Sequence, residues 1–189
     1  MKSAIIVLGV FLLAHTVSAH VVVKPNVVGV GMFQNFVIGV PSEKPVATVA
    51  VKLVIPPGLD YVTPNVKPGW NVEVVKNASS TVTEIRWTGG NIPAGMRDDF
   101  GFSAKVPGAT TALNWKAYQT YADGSVVSWE DAPGSAATDF SVSGPYSVTR
   151  VVNDINPAPA PERDTVIFVF AILAFIFSLT ALREARKAR

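Results

Sequence analysis

Tyr118-Gln-Thr-Tyr-Ala-Asp-Gly-Ser-Val-Val-Ser-Trp129 is the stretch whose reading decides the fold. Asp123-Gly124 suits a tight reversal, because Asp and Gly accept the left-handed backbone that hairpin turns need. The residues on either side are aromatic, β-branched or small and polar in near alternation, which is the two-residue period of a half-buried strand. Two such strands around one reversal predict an antiparallel hairpin.

The same period continues outward in both directions. Met32 to Val40 puts Phe36, Ile38 and Val40 on one face and Asn35 on the other. Thr48 to Ile55 sets Val49, Val51 and Leu53 against Ala50 and Lys52, then stops at Pro56-Pro57-Gly58. Pro68-Gly69 turns the chain into Trp70 to Val75. Thr81 to Trp87, Phe100 to Val106 and Ala112 to Tyr121 follow, and a last strand is expected over Thr138 to Val142. Many short strands at this spacing predict an all-β antiparallel sandwich. Asn77-Ala78-Ser79 fits a glycosylation acceptor but reads as a turn. From about Tyr146 the pattern fades, and Asn156-Pro-Ala-Pro-Ala-Pro161 reads as a stiff, extended spacer. The expected sandwich is therefore 20–145 and the linker 146–164.

The ends of the chain predict export and anchoring. Lys2, an apolar run from Ala4 to Ala14 and the small residues Val17-Ser18-Ala19 have the layout of a signal peptide over 1–19. The expected cut after Ala19 leaves His20 as the first residue. Thr165 to Leu182 carries no charge, and as a helix would be about 27 Å long, close to the thickness of a bilayer core. Arg183, Arg186, Lys187 and Arg189 follow at once in a basic tail over 183–189. Such a cluster stays cytoplasmic. The expectation is a single-pass cell-membrane protein, with its domain on the extracytoplasmic side and its C-terminus inside.

Composition excludes several function classes. Between His20 and Asp164 there are eleven Lys and Arg against thirteen Asp and Glu, a net of −2. A surface so near neutrality has no footprint for nucleic acid. The chain has no cysteine, which removes disulfides, Cys nucleophiles, zinc–thiolate sites and blue-copper centres. Met32 and Met96 are too few for a Met-rich Cu(I) site. His15 lies in the expected signal, so His20 is the sole histidine of the mature chain. No histidine remains to pair with a serine, and a copper oxygenase with two histidines cannot be built. An enzyme is not expected.

A terminal histidine offers its free amine and its ring Nδ1, which together close one chelate ring. Imidazole, amine and carboxylate in a planar array suit Cu(II). An amine pKa of about 7.7–8.0 lets Cu(II) displace the proton.

His20-Val-Val-Val-Lys-Pro25, Val40-Pro-Ser-Glu-Lys44, Pro68-Gly-Trp70, Trp115-Lys-Ala-Tyr-Gln119 and Asp123-Gly-Ser-Val-Val-Ser-Trp129 occur in this order. Together they resemble the YcnI-like family over nearly the whole exported region. The resemblance implies a β-sandwich of immunoglobulin- or cupredoxin-like class with a C-terminal transmembrane helix. It implies Cu(II) as the bound ion, held in a single-histidine brace with His20 as terminal ligand, Glu43 as carboxylate and Trp129 near the ion. An indole N–H is a poor ligand, so Trp129 would pack against and shield the ion. Glu130 and Asp131 adjoin Trp129 and are rival carboxylates. Trp70, Trp87 and Trp115 read as core. The family further implies copper acquisition or chaperoning, with a copper transporter or second copper chaperone as partner. The competing reading is a membrane-tethered interaction or adhesion module without metal, since fold does not dictate function.

Overall fold

The computed structural model describes residues 20–135 and 141–155. Its core begins with the strand that alternates most cleanly. In β3 (Phe33–Pro41), Phe36, Ile38 and Val40 are fully buried, as the period predicts. β3 lies antiparallel to β8 (Arg97–Lys105), with Phe36 opposite Phe102 and Ile38 opposite Phe100. β1 (Val22–Lys24) and β5 (Asp60–Pro64) complete a four-stranded sheet in the order β1-β3-β8-β5.

The facing sheet has six strands. It contains β4 (Thr48–Val54), β6 (Asn71–Lys76), β7 (Val82–Ile92), β10 (Ala117–Tyr121), β11 (Val126–Asp131) and β12 (Ser143–Pro145), ordered β12-β11-β10-β4-β7-β6. The hairpin expected at Asp123-Gly124 joins β10 to β11, and Gln119 lies opposite Val127. Asp123 Oδ1 accepts from the Ser125 N–H at 2.9 Å, the side-chain bond that makes Asp a good reversal residue. Asn77 does the same work at the β6–β7 reversal, accepting from the N–H groups of Ser79 and Thr81.

Aromatic side chains fill the space between the sheets. Phe36 stacks on Phe102 at 5.3 Å, and Trp115 lies 5.2 Å from Phe36 and 5.6 Å from Phe102. Trp87 is 5.2 Å from Phe100. Trp87 and Trp115 are buried as expected, whereas Trp70 is half-buried, packed edge-on against Phe100 and covered on one face by Gly90.

The structure departs from the sequence reading in four places. Ala112 to Tyr121 is not one strand. β9 (Thr111–Trp115) belongs to a third sheet, β2-β13-β9, while β10 joins the six-stranded sheet, so the chain changes layer at Lys116. The expected strand at 138–142 is absent at Ser141 and Val142, which form a turn; 138–140 lie outside the described residues, and β12 starts at Ser143. The sandwich does not stop at 145. β13 (Ser147–Val152) pairs antiparallel with β9 and parallel with β2 (Val27–Gly29). Its inward positions include Thr149 as well as Val151, and a threonine facing the core hides the apolar alternation. Pairing is not uniformly antiparallel either: β11–β12 and β2–β13 are parallel.

Among the described residues no helix is long and apolar enough to cross a membrane. The expected signal peptide, most of the linker, the apolar run 165–182 and the basic tail lie outside the described residues.

Candidate metal centre

β1 places His20. Val22 pairs with Gly39 and Val23 with Ile38. Continuing that register brings His20 to Pro41, at the end of β3. On its other side β1 is fastened to β13, where Ser147 Oγ accepts from the Val23 N–H at 3.0 Å.

β11 places Trp129. Alternation sends Val127 and Trp129 inward and Ser128 and Glu130 outward. The Trp129 indole is buried, and one edge of it lies over Gly144 of β12, directly opposite in the ladder. A Cβ at Gly144 would sit 2.6 Å from the ring, so only glycine leaves room for it. The imidazole of His20 meets this indole edge-on, with ring centroids 5.6 Å apart. Trp129 Nε1 is buried with no hydrogen-bond partner among the described residues. Trp87 Nε1 and Gln119 Oε1 share this state.

Glu43 lies exposed on the β3–β4 loop, two residues beyond Pro41. A buried polar chain positions the loop. Gln119 Nε2 donates to Pro41 O at 2.7 Å and to Thr48 Oγ1 at 2.6 Å. Thr48 Oγ1 donates to Ser42 Oγ at 3.1 Å, and Ser42 Oγ to Val46 O at 3.3 Å. The Ser42 backbone is also tied to the β7–β8 turn through Met96 O and the Gly95 N–H. Lys44 Nζ donates to Ser125 Oγ at 2.9 Å and lies 4.9 Å from the Tyr121 ring centre. The segment after β3 is therefore built rather than loose.

Sequence reasoning quoted Gln119 and Ser42 without giving them this role, and missed Thr48. The reason is a bulge. The β4–β7 register shifts between Thr48 and Ala50, which turns Thr48 inward and leaves Val49 half-buried. Bulges re-aim side chains beside functional sites. One signal was present: Gln119 shares the inward face of its strand with Tyr121, and an inward glutamine needs polar partners.

The rival carboxylates have hydroxyl partners. Glu130 is on the outer face, where Oε2 accepts from the Tyr118 hydroxyl at 2.7 Å. Asp131 accepts from the Ser143 hydroxyl. Among the described residues no three His, Cys, Asp or Glu side chains converge on one point.

Two tyrosines report on the surroundings. The Tyr118 hydroxyl is held above its ordinary value by its bond to Glu130, then by burial and the charges of Glu130 and Glu84. Burial pushes Tyr121 up, helped by the Glu43 charge and partly offset by the Glu43 backbone and Thr48. Both hydroxyls hold their protons more tightly in the folded state than in the unfolded one. The stability they contribute is complete below the ordinary tyrosine value of 10.0 and is lost as pH rises through the folded values. The thermal midpoint is expected to fall above about pH 10. Phenolate absorbance, compared with Tyr118→Phe and Tyr121→Phe chains, should show both of these hydroxyls ionising above the ordinary value. If either ionises at or below it, that environment is misassigned.

Residues 20–148 match the family model described as a domain of unknown function, DUF1775. The copper-binding protein CutI of Bacillus subtilis (strain 168) is 32% identical over 181 residues, covering 90% of this chain and 88% of that protein. The crystal structure of an uncharacterized protein from Nocardia farcinica, reported to have an immunoglobulin-like fold, superposes with a TM-score of 0.61 at 24% identity, covering 70% of this chain and 98% of that one. That likeness shows the fold, an immunoglobulin-like sandwich. With the domain model matching residues 20–148 and the Bacillus relative aligned over nine-tenths of the chain, the protein belongs to the YcnI-like, DUF1775 family.

Proposed function

We propose that the mature protein begins at His20 and binds one Cu(II) ion at the amino-terminal end of the sandwich, in copper acquisition or as a chaperone. Cleavage after Ala19 would turn the His20 peptide nitrogen into a free amine. That amine and ring Nδ1 form the chelate, Glu43 supplies an oxygen, and Trp129 walls the ion off from water. The copper is cargo, held and passed on rather than used in turnover. A copper transporter or second copper chaperone would receive or supply it. The run 165–182 would anchor the protein in the cell membrane, with the domain outside and the tail inside.

The observation that carries the reading is the edge-on contact of His20 with Trp129, at 5.6 Å. It joins the sole histidine of the mature chain to a buried indole whose N–H has no partner among the described residues. The donors fit: imidazole and amine nitrogens with carboxylate oxygen suit Cu(II). The backbone amine supplies what the side chains alone do not. Relationship to a protein named for copper binding supports the choice of ion.

The test is a Cu(II) titration of the mature protein, its terminus verified by mass spectrometry. Paramagnetic resonance should show one type-2 site with nitrogen couplings, reached at one equivalent, with indole fluorescence quenched in step. Glu43→Gln should weaken binding about tenfold, ~1.4 kcal/mol. Binding with no nitrogen coupling, or a mature terminus other than His20, would discard the site.

A further inference from the structure

The sandwich has two ends, and the chain uses them differently. His20, the Glu43 loop and the Tyr121–Ser125 reversal occupy one. β3 runs from the other end, at Phe33, to this one at Pro41, a length of about 26 Å at ~3.3 Å per residue. The last strand finishes at the Phe33 end. There the Val30 N–H donates to Val152 O at 3.1 Å, with Gly31, Met32 and Phe33 following directly. The last strand thus ends beside Met32 and Phe33.

That end is apolar on its surface. Met32 is 44% exposed, Phe33 68% and Tyr61 72%. The strand registers bring them together, since Lys105 lies opposite both Phe33 and Asp60. The rings of Phe33 and Tyr61 are 5.8 Å apart. Tyr61 also has φ of 53°, at a register shift between Asp60 and Thr63. A bulky residue avoids this backbone region. Strain retained at a residue that takes no part in the core, and that turns one exposed ring beside another, points to a surface with work to do.

We propose that this tip docks on lipid: Met32, Phe33 and Tyr61 enter the interfacial layer of the bilayer that anchors the chain. The inference rests on the anchoring reading given above. Nine residues, 156–164, separate the described body from Thr165. Even as an extended proline-rich spacer they reach only about 28 Å. A tip tethered so closely meets the bilayer at high effective concentration, so weak partitioning suffices. Tyr suits the site, with an apolar ring and a hydroxyl that stays wet. Asp60 and Lys105 flank the rings with opposite charges, so insertion does not depend on anionic lipid. Docking would stand the sandwich on end and hold His20 about 26 Å farther from the membrane than Phe33.

The chain lacks cysteine, so one introduced thiol carries one nitroxide. Met32→Cys in the full mature chain, spin-labelled in nanodiscs of zwitterionic phospholipid, should collide with oxygen more than with a water-soluble nickel chelate. Ala122→Cys, on the far reversal, should show the reverse. Adding Phe33→Ser and Tyr61→Ser to the Met32→Cys chain should cut the oxygen-to-nickel ratio at least about threefold, while the thermal transition survives because both rings are exposed. Equal ratios at 32 and 122 would overturn the docking. So would dipolar broadening at 32 that vanishes on dilution with unlabelled chain, which would mean that two copies meet through the tip. A chain recovered outside the disc fraction would instead sink the anchoring reading, and the docking with it.

Discussion

His20→Ala will lower Cu(II) affinity by at least about a thousandfold, ~4 kcal/mol. The substitution removes one of the two nitrogens of the proposed chelate, and the other histidine, His15, lies in the expected signal peptide. The amine left behind must then compete with its own proton, whose pKa of about 7.7–8.0 lies above neutrality. Acetylating the amine of the wild-type protein removes the other nitrogen and should weaken binding comparably. The fold should survive the substitution. His20 precedes β1, and its edge contact with Trp129 is worth about 0.5–1.5 kcal/mol. Competition against a Cu(II) chelator measures the loss, and thermal unfolding checks the fold. A variant that binds within threefold of wild type would show that the ligand is elsewhere.

Trp115→Ala will destabilise the sandwich by about 3–5 kcal/mol, the usual cost of emptying a buried tryptophan site. The side chain is 1% exposed and touches Phe36 and Phe102 from opposing strands. Its Nε1 donates to Thr149 Oγ1 at 3.0 Å, and that hydroxyl donates to Pro25 O at 2.7 Å. One residue thus holds the aromatic core and fastens β9 to β13 and the β1–β2 connection. Domains of this size have only about 5–15 kcal/mol of stability in all. Thr149→Val isolates the polar part, leaving a buried indole N–H unmet at a cost of about 1–3 kcal/mol. Urea unfolding separates the two effects. A loss below about 1 kcal/mol for Trp115→Ala would mean that the cluster is less tightly packed than its ring distances imply.

The features that local chemistry dictates were legible in the sequence. The Asp123-Gly124 reversal and the alternation of Phe36, Ile38 and Val40 needed no knowledge of neighbours, and both stand in the structure. His20 stood out by elimination, and Trp129 by resemblance. What escaped depends on partners distant along the chain. β13 has Ser147 and Thr149 where a core strand usually has aliphatics, because their hydroxyls meet Val23 and Pro25 across the sheet. Thr48 turns inward only because of a bulge against β7. The need for glycine at 144 follows from an indole fifteen residues earlier in the chain, which no window on Ser143-Gly-Pro145 reveals.

The bond from the Val23 amide to Ser147 joins residues 124 apart. Closing so long a loop is entropically slow compared with making a hairpin. In the export proposed above, the amino-terminal edge would therefore stay frayed until almost the whole polypeptide had crossed. A ligand pair carried there would be too floppy to retain a metal before that seam is stitched. On the proposed reading, completion of translocation, rather than removal of the leader, would be the event that arms the site.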